Sequence, residues 1–264
     1  MSDVRARAVA AARSSRRLAA QRGYTLIELS VAILIALFLL GALFAIVQST
    51  QRTSINQNGL AQLQDNERLA ITMMTDVIQD AGYYPNPTVN TASLALPAGG
   101  VFATAGQGLY GVSNASAQGD SITVRYLTSG SATDNGAVNC TGGTNTSGAA
   151  LVYTNEFSVD ASGDLLCSVN GAAPVVLIPG GTSGTQTQGL QSLQIYYGVN
   201  TDPTNIGADS YLKASEMSSA DWLEVRSVQI ILTFINPLAS QPGQPATIEI
   251  VRTVSVMGTA GVDT

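Results

Sequence analysis

Residues 22–47, RGYTLIELSVAILIALFLLGALFAIV, set a Gly-Tyr step and a single carboxylate, Glu28, directly ahead of an apolar run that continues uncharged to Val47. From Leu29 to Val47 that run is 19 residues long, and Ser30 and Gly41 are its weak interruptions. As an α-helix it reaches about 28 Å at a rise of about 1.5 Å per residue, close to the hydrocarbon thickness of a bilayer. It is long enough to span. A cleavable secretory signal has a shorter core ending in a small-x-small site, whereas this run passes into Gln48, Ser49 and Thr50. The segment is expected to stay with the mature protein.

Upstream, residues 1–23 hold Arg5, Arg7, Arg13, Arg16, Arg17 and Arg22 against one acid, Asp3. Positive charge beside a span stays on the cytoplasmic side, which places the N-terminus in the cytoplasm and everything after Val47 outside it. The expectation is a single-pass membrane protein with an exported C-terminal domain.

Glu28 needs an explanation, because an ionised carboxylate at the edge of the hydrocarbon costs a few kcal/mol unless something compensates it. The run Gly23-Tyr24-Thr25-Leu26-Ile27-Glu28-Leu29 resembles the class III signal of type IV prepilins. The resemblance implies that a prepilin peptidase and N-methyltransferase removes residues 1–23 as a leader, cutting after Gly23 and methylating Tyr24. It further implies that Glu28 neutralises the new ammonium of a neighbouring subunit in a low-dielectric filament core, where unpaired charge is costly. Gly23, with no side chain, lets the scissile backbone enter a narrow protease cleft. The chain departs from the family pattern in three places: Tyr24 stands where Phe or Met is usual, the 23-residue leader is long for the family, and Ala45 stands where major pilins carry a helix-breaking Pro.

Removing the leader takes away six arginines and one aspartate, leaving 17 acids, six bases and a charge near −11. Such a surface repels polyphosphates and anionic lipid, and no stretch combines clustered Lys or Arg with interleaved aromatics. Direct nucleic-acid binding is not expected. Charged residues are only 11% of the chain, a balance suited to an exported β-rich domain with long loops.

Past Val47 the helix is expected to continue to about residue 82, membrane-spanning over 24–47 and amphipathic over 48–82. Leu63, Ala70, Ile71, Met74, Val77, Ile78 and Ala81 recur at helical spacing and mark a buried face. Asn58-Gly59 is a point of fraying or kinking, and Gly82-Tyr83-Tyr84-Pro85 a stop. Beyond it, alternation and β-branched enrichment predict strands at about 121–127, 150–154, 165–169, 175–178, 190–199, 224–235 and 247–256. Residues 128–149 and 180–188 read as Gly/Ser/Thr-rich loops. One long helix ahead of turn-linked strands gives an α+β class, a pilin-like helix packed on an antiparallel β-sheet domain over 83–264.

Cys140 and Cys167 are the only cysteines, and on the exported side thiols pair. A disulfide between them closes a loop of about 27 residues and contributes about 3.5 kcal/mol in the chain-entropy account. The chain has no His, which removes Ser-His-Asp and Cys-His catalysis, and with two cysteines as the remaining soft ligands no zinc-type site is expected. No cofactor and no enzyme activity are expected. One oxygen-rich turn, with Asp202, Thr204, Asn205 and Asp209, is a weak calcium candidate; its spacing fails the EF-hand pattern, with Ile206 at a ligand position and Lys213 where a bidentate Glu belongs.

Residues 196–202 (YYGVNTD), Tyr211 and the run from Asp221 to Val228 resemble the C-terminal half of PilW-like minor pilins. The runs 63–70 (LQDNERLA) and 80–83 (DAGY) resemble the end of that group's helix. The resemblance implies a noncatalytic minor pilin that primes assembly of a type IV pilus and sits near its tip, supporting adhesion, twitching motility or DNA uptake. It implies as partners the other minor pilins and the major pilin, met through the N-terminal helix, and the inner-membrane assembly platform; after assembly the protein is at the pilus surface. A minor pseudopilin of a type II secretion system shares the signal and helix, and a membrane-anchored exported binding domain that never assembles is the reading from another class.

Overall fold

The helix α1, Leu26–Gln79, runs 54 residues and passes through Asn58-Gly59 without a break. A computed structural model describes residues 23–130, 137–180, 189–202, 204 and 206–257. The chain divides into two compact units, residues 1–52 and 53–264, so α1 contributes to both.

In the first unit every described residue is exposed, the apolar ones from Leu26 to Val47 included. A helix that is apolar on all sides and exposed along this length suits lipid or other helices rather than water. Two of its hydroxyls bond back to the helix: Ser30 Oγ donates to the Ile27 carbonyl at 2.9 Å and Thr50 Oγ1 to that of Ile46 at 2.9 Å.

In the second unit α1 buries Gly59, Leu63, Ala70, Met74, Val77 and Ile78 along one stripe, at steps of three, four and seven residues. Gly59 is therefore a close-packing position rather than a kink. Ile71 is half-buried at the rim of the same core. Regular helix ends at Gln79, short of the 82 that the sequence suggested, because the next backbone groups are taken by the sheet. Gly82 turns at φ 75°, its N–H donates to the Arg125 carbonyl at 2.9 Å, and Leu127 N–H donates back to Tyr83 at 2.8 Å.

Nine strands form one sheet: β1 Leu109–Ser116, β2 Gly119–Thr128, β3 Leu151–Val159, β4 Leu165–Val169, β5 Val175–Ile178, β6 Leu190–Val199, β7 Ser210–Leu212, β8 Val225–Ile235 and β9 Thr247–Ser255. The order is β5-β4-β3-β2-β6-β8-β9, with β1 on β2 and β7 on β6. A short helix, α2 (Ala92–Ala95), precedes β1 with Thr91 as its N-cap. Every pairing is antiparallel except β2 with β6, which meet in parallel at Gly119 and Leu193. That junction makes the sheet mixed, where sequence reasoning expected a purely antiparallel one.

Two neighbouring residues build it. A Cβ on Gly119 would fall 2.0 Å from the Leu193 carbonyl oxygen, so only glycine allows the approach. Asp120 follows; its Oδ1 accepts the Asn114 N–H and its Oδ2 the Ile195 N–H, each at 2.8 Å, bridging β1 and β6 through one buried carboxylate.

The core lies between the α1 stripe and the sheet, with Tyr126, Phe157, Tyr197 and Phe234 its largest buried side chains. Cys140 and Cys167 are joined, with Cα atoms 6.1 Å apart, which fastens the segment after residue 137 to β4. That segment is further held by Cys140 N–H donating to Asn155 Oδ1 at 2.9 Å and by Tyr126 Oη donating to the Val138 carbonyl at 2.5 Å. Residues 131–136 and 181–188, within the two expected loops, lie outside the described residues.

Candidate functional site

The start of α1 is the first candidate. Thr25 is the capping residue: its Oγ1 accepts the Glu28 N–H at 3.3 Å, while Glu28 Oε2 accepts the Thr25 N–H and the Thr25 hydroxyl, each at 3.2 Å. Leu29 N–H closes the first helical bond to the Thr25 carbonyl at 3.1 Å. This is a capping box, two orphan helix-end donors satisfied reciprocally, and the carboxylate also lies at the positive end of the helix dipole. A lone Glu28 at the rim of an apolar helix thus has hydrogen-bond donors from its own chain within reach. Thr25 was missed in reading the sequence, although Thr-x-x-Glu before an apolar run is the signal for it.

Gly23 and Tyr24 precede the box and are exposed, and a Cβ on Gly23 would meet nothing within 4 Å. Residues 1–22 of the expected leader lie outside the described residues.

The oxygen-rich turn after β6 spends its carboxylates on its own backbone. Asp209 Oδ2 accepts the Thr201 and Asp202 N–H groups at 3.1 and 2.9 Å, and Asp209 Oδ1 the Thr201 hydroxyl at 2.9 Å. Asp202 Oδ1 accepts the Thr204 N–H and hydroxyl at 2.9 and 2.7 Å. The arrangement is an Asx-type turn, and Asn205 lies outside the described residues. Among the described residues no group of three or more His, Cys, Asp or Glu is placed to hold a metal.

Arg125 on β2 is a buried cation that the sequence did not single out. Its Nε donates to the Gln107 carbonyl at 2.7 Å, Nη1 to Pro97 at 2.7 Å, and Nη2 to Leu96 and Thr104 at 3.2 and 3.5 Å. The guanidinium also stacks 4.1 Å from the Phe102 ring centroid. Burial lowers its pKa to about 10, so it stays cationic at neutral pH. One side chain thereby straps residues 96–107 across the outer face of β2. An isolated Arg within a strand pattern gives no hint that four carbonyls from a preceding loop will converge on it.

Comparison with known proteins meets this geometry at both ends of the chain. Residues 18–44 match the family described as the prokaryotic N-terminal methylation motif, and residues 159–253 match the family described as type IV pilus-assembly protein W. The second match runs from the end of β3 through most of β9, reaching further back than residue 196, where the C-terminal resemblance began in sequence. Among solved structures, a type IV-like pilin from Thermus thermophilus is similar at 14% identity and a TM-score of 0.42, over 75% of this chain and 97% of that one. No curated protein is significantly similar in sequence.

Proposed function

Because this chain is PilW-like and type IV pilin-like, with an N-terminal prepilin methylation motif, we propose that it serves as a minor pilin that primes assembly of a type IV pilus and is incorporated near its tip. It is a structural subunit, not an enzyme, anchored by a single N-terminal helix of membrane-spanning length with its sheet domain on the periplasmic side. In this reading residues 1–23 are the leader, Tyr24 becomes the methylated N-terminus, residues 24–47 are the assembly helix, 48–82 join it to the sheet, and 83–264 form the exported domain. The observation that carries the reading is the open Gly23-Tyr24 step immediately ahead of the Thr25–Glu28 box and an apolar helix.

Glu28 is held by its own Thr25 before assembly. Pairing with the liberated amine of another pilin exchanges that local bond for a charge pair in a dry bundle, where it is stronger. The partners are the other minor pilins and the major pilin through the N-terminal helix, the prepilin peptidase and N-methyltransferase, and the inner-membrane assembly platform. Exposure of the pilus tip is what links the protein to adhesion, twitching motility or DNA uptake.

Mass spectrometry of the chain isolated from cells tests the processing: it begins at methylated Tyr24, and at Met1 in a strain without the peptidase. A chain starting at Met1 in the parent strain overturns the proposal. Deletion separates the two assembling systems, with loss of twitching or DNA uptake supporting the pilus and loss of exoprotein secretion assigning the chain to a type II secretion pseudopilus instead. Glu28→Ala leaves membrane insertion intact and impairs assembly; normal pilus numbers in that variant count against the pairing role.

A further inference from the structure

On the outer face of the sheet, away from the α1 stripe, a groove of about 570 Å³ opens between the 97–102 strap and strands β1 to β4. Strand register lays a row across its floor: Tyr110 lies opposite Thr123, Thr123 opposite Glu156, and Glu156 opposite Ser168. Thr154 stands beside that row, opposite Arg125. The hydroxyls of Tyr110, Thr123 and Thr154 and the carboxylate of Glu156 make no side-chain hydrogen bond among the described residues. Four unspent polar groups therefore converge on one concave surface of ligand size.

The chemistry of the groove narrows what fits. Of its two charged residues, Arg125 is committed to four backbone carbonyls, so the charge left open is the exposed Glu156 carboxylate. That disfavours anions, as does the acidic balance of the exported chain. Val101 and Val112, 48% and 40% exposed, and the Tyr110 ring supply apolar surface beside the polar row. A cationic peptide would find one carboxylate here, Glu156, and no second acid among the lining residues. A pyranose ring presents an apolar C–H face and a rim of hydroxyls that a carboxylate accepts from and Ser, Thr and Tyr both donate to and accept from.

We propose that this groove binds a neutral saccharide of one to two rings. Glu156 accepts from vicinal ligand hydroxyls, Thr123 and Thr154 complete the hydrogen bonding, and Tyr110 with Val112 takes the apolar face. The inference concerns the sheet domain alone and stands whether or not the chain assembles into a pilus.

The test is an array of neutral and sialylated oligosaccharides probed with the full chain in a detergent that has no sugar headgroup, followed by titration with the best neutral disaccharide. The expected result is saturable binding to neutral glycans that weakens at least tenfold in Glu156→Gln and in Thr123→Val, with thermal melting unchanged in both. Glu156→Asp separates chemistry from shape and retains part of the affinity. Absence of neutral-glycan binding, binding confined to sialylated glycans or to a polylysine probe, or neutral-glycan binding that Glu156→Gln and Thr123→Val leave intact, overturns the proposal.

Discussion

Gly111 on β1 lies against the hydroxyl of Tyr197 on β6, so close that a Cβ at position 111 would fall 2.0 Å from Tyr197 Oη. Tyr197 is fully buried, and its hydroxyl has no hydrogen-bond partner among the described residues. Its ring is pinned edge-on by Trp222 at 4.8 Å between centroids, and Trp222 in turn meets Tyr110 at 5.6 Å. The ring cannot swing away, so the missing side chain at 111 is what makes room for the oxygen.

Gly111→Ala is expected to destabilise the fold by about 1–3 kcal/mol through overpacking. Tyr197→Phe removes the clashing oxygen along with an unsatisfied buried polar group, so on its own it is neutral or stabilising. The pair should couple: Gly111→Ala costs much less in the Tyr197→Phe background, read as a double-mutant cycle of denaturant midpoints. Additive effects would show that the two positions do not touch.

Arg125→Ala strips the donors from four loop carbonyls and should cost on the order of 3 kcal/mol. Residues 96–107 should become the first segment cut in limited proteolysis. Arg125→Lys does not rescue it, because an ammonium lacks the planar fork that reaches several carbonyls at once.

Asp80 carries a pH dependence with a definite sign. Burial, assisted by the neighbouring Asp76 carboxylate, pushes its carboxyl from 3.8 up to about 6. The folded state therefore holds this proton more tightly than the unfolded chain, and stability is greatest below about pH 4 and falls as pH rises through about 6. Asp80→Asn should raise the melting temperature at pH 7, with the gain vanishing near pH 4. A gain independent of pH would assign the effect to something other than ionisation.

Replacing Cys140 and Cys167 together with Ser should lower stability by about 3.5 kcal/mol, from the loop entropy released in the unfolded chain over a separation of 27 residues. A reducing agent should bring the wild-type denaturation midpoint down to that of the double variant and leave the variant unmoved. Proteolytic nicking between residues 137 and 149 should rise in both cases.

Much of this architecture was legible locally. The limits of β4, β5 and β6 coincide with the runs read as strands, and β8 and β9 fall within one residue of theirs. Each of these is a run rich in β-branched or aliphatic residues bounded by turn formers, so the signal sits inside the element. β1 escaped because LYGVSNAS carries Gly111 where a side chain would strike Tyr197, and its register breaks between Val112 and Ser116; neither constraint is visible without the partner strand. β7 is three residues on the end of β6, too short for any pattern. The N-terminal methylation motif was readable because it is contiguous, whereas the Arg125 strap and the floor of the groove unite residues from a loop and four strands.

Composition and periodicity alone were enough for the membrane-length helix, its orientation, the amphipathic stretch that follows and the α+β class, because apolar length, charge asymmetry and side-chain spacing act within one segment. The parallel junction at Gly119 and Leu193, the bridging of β1 to β6 by Asp120, the space left for Tyr197 and the row from Tyr110 to Ser168 emerged only with the folded chain. Each depends on which distant backbones come within hydrogen-bonding reach, and that is a property of packing and register rather than of any single stretch of residues.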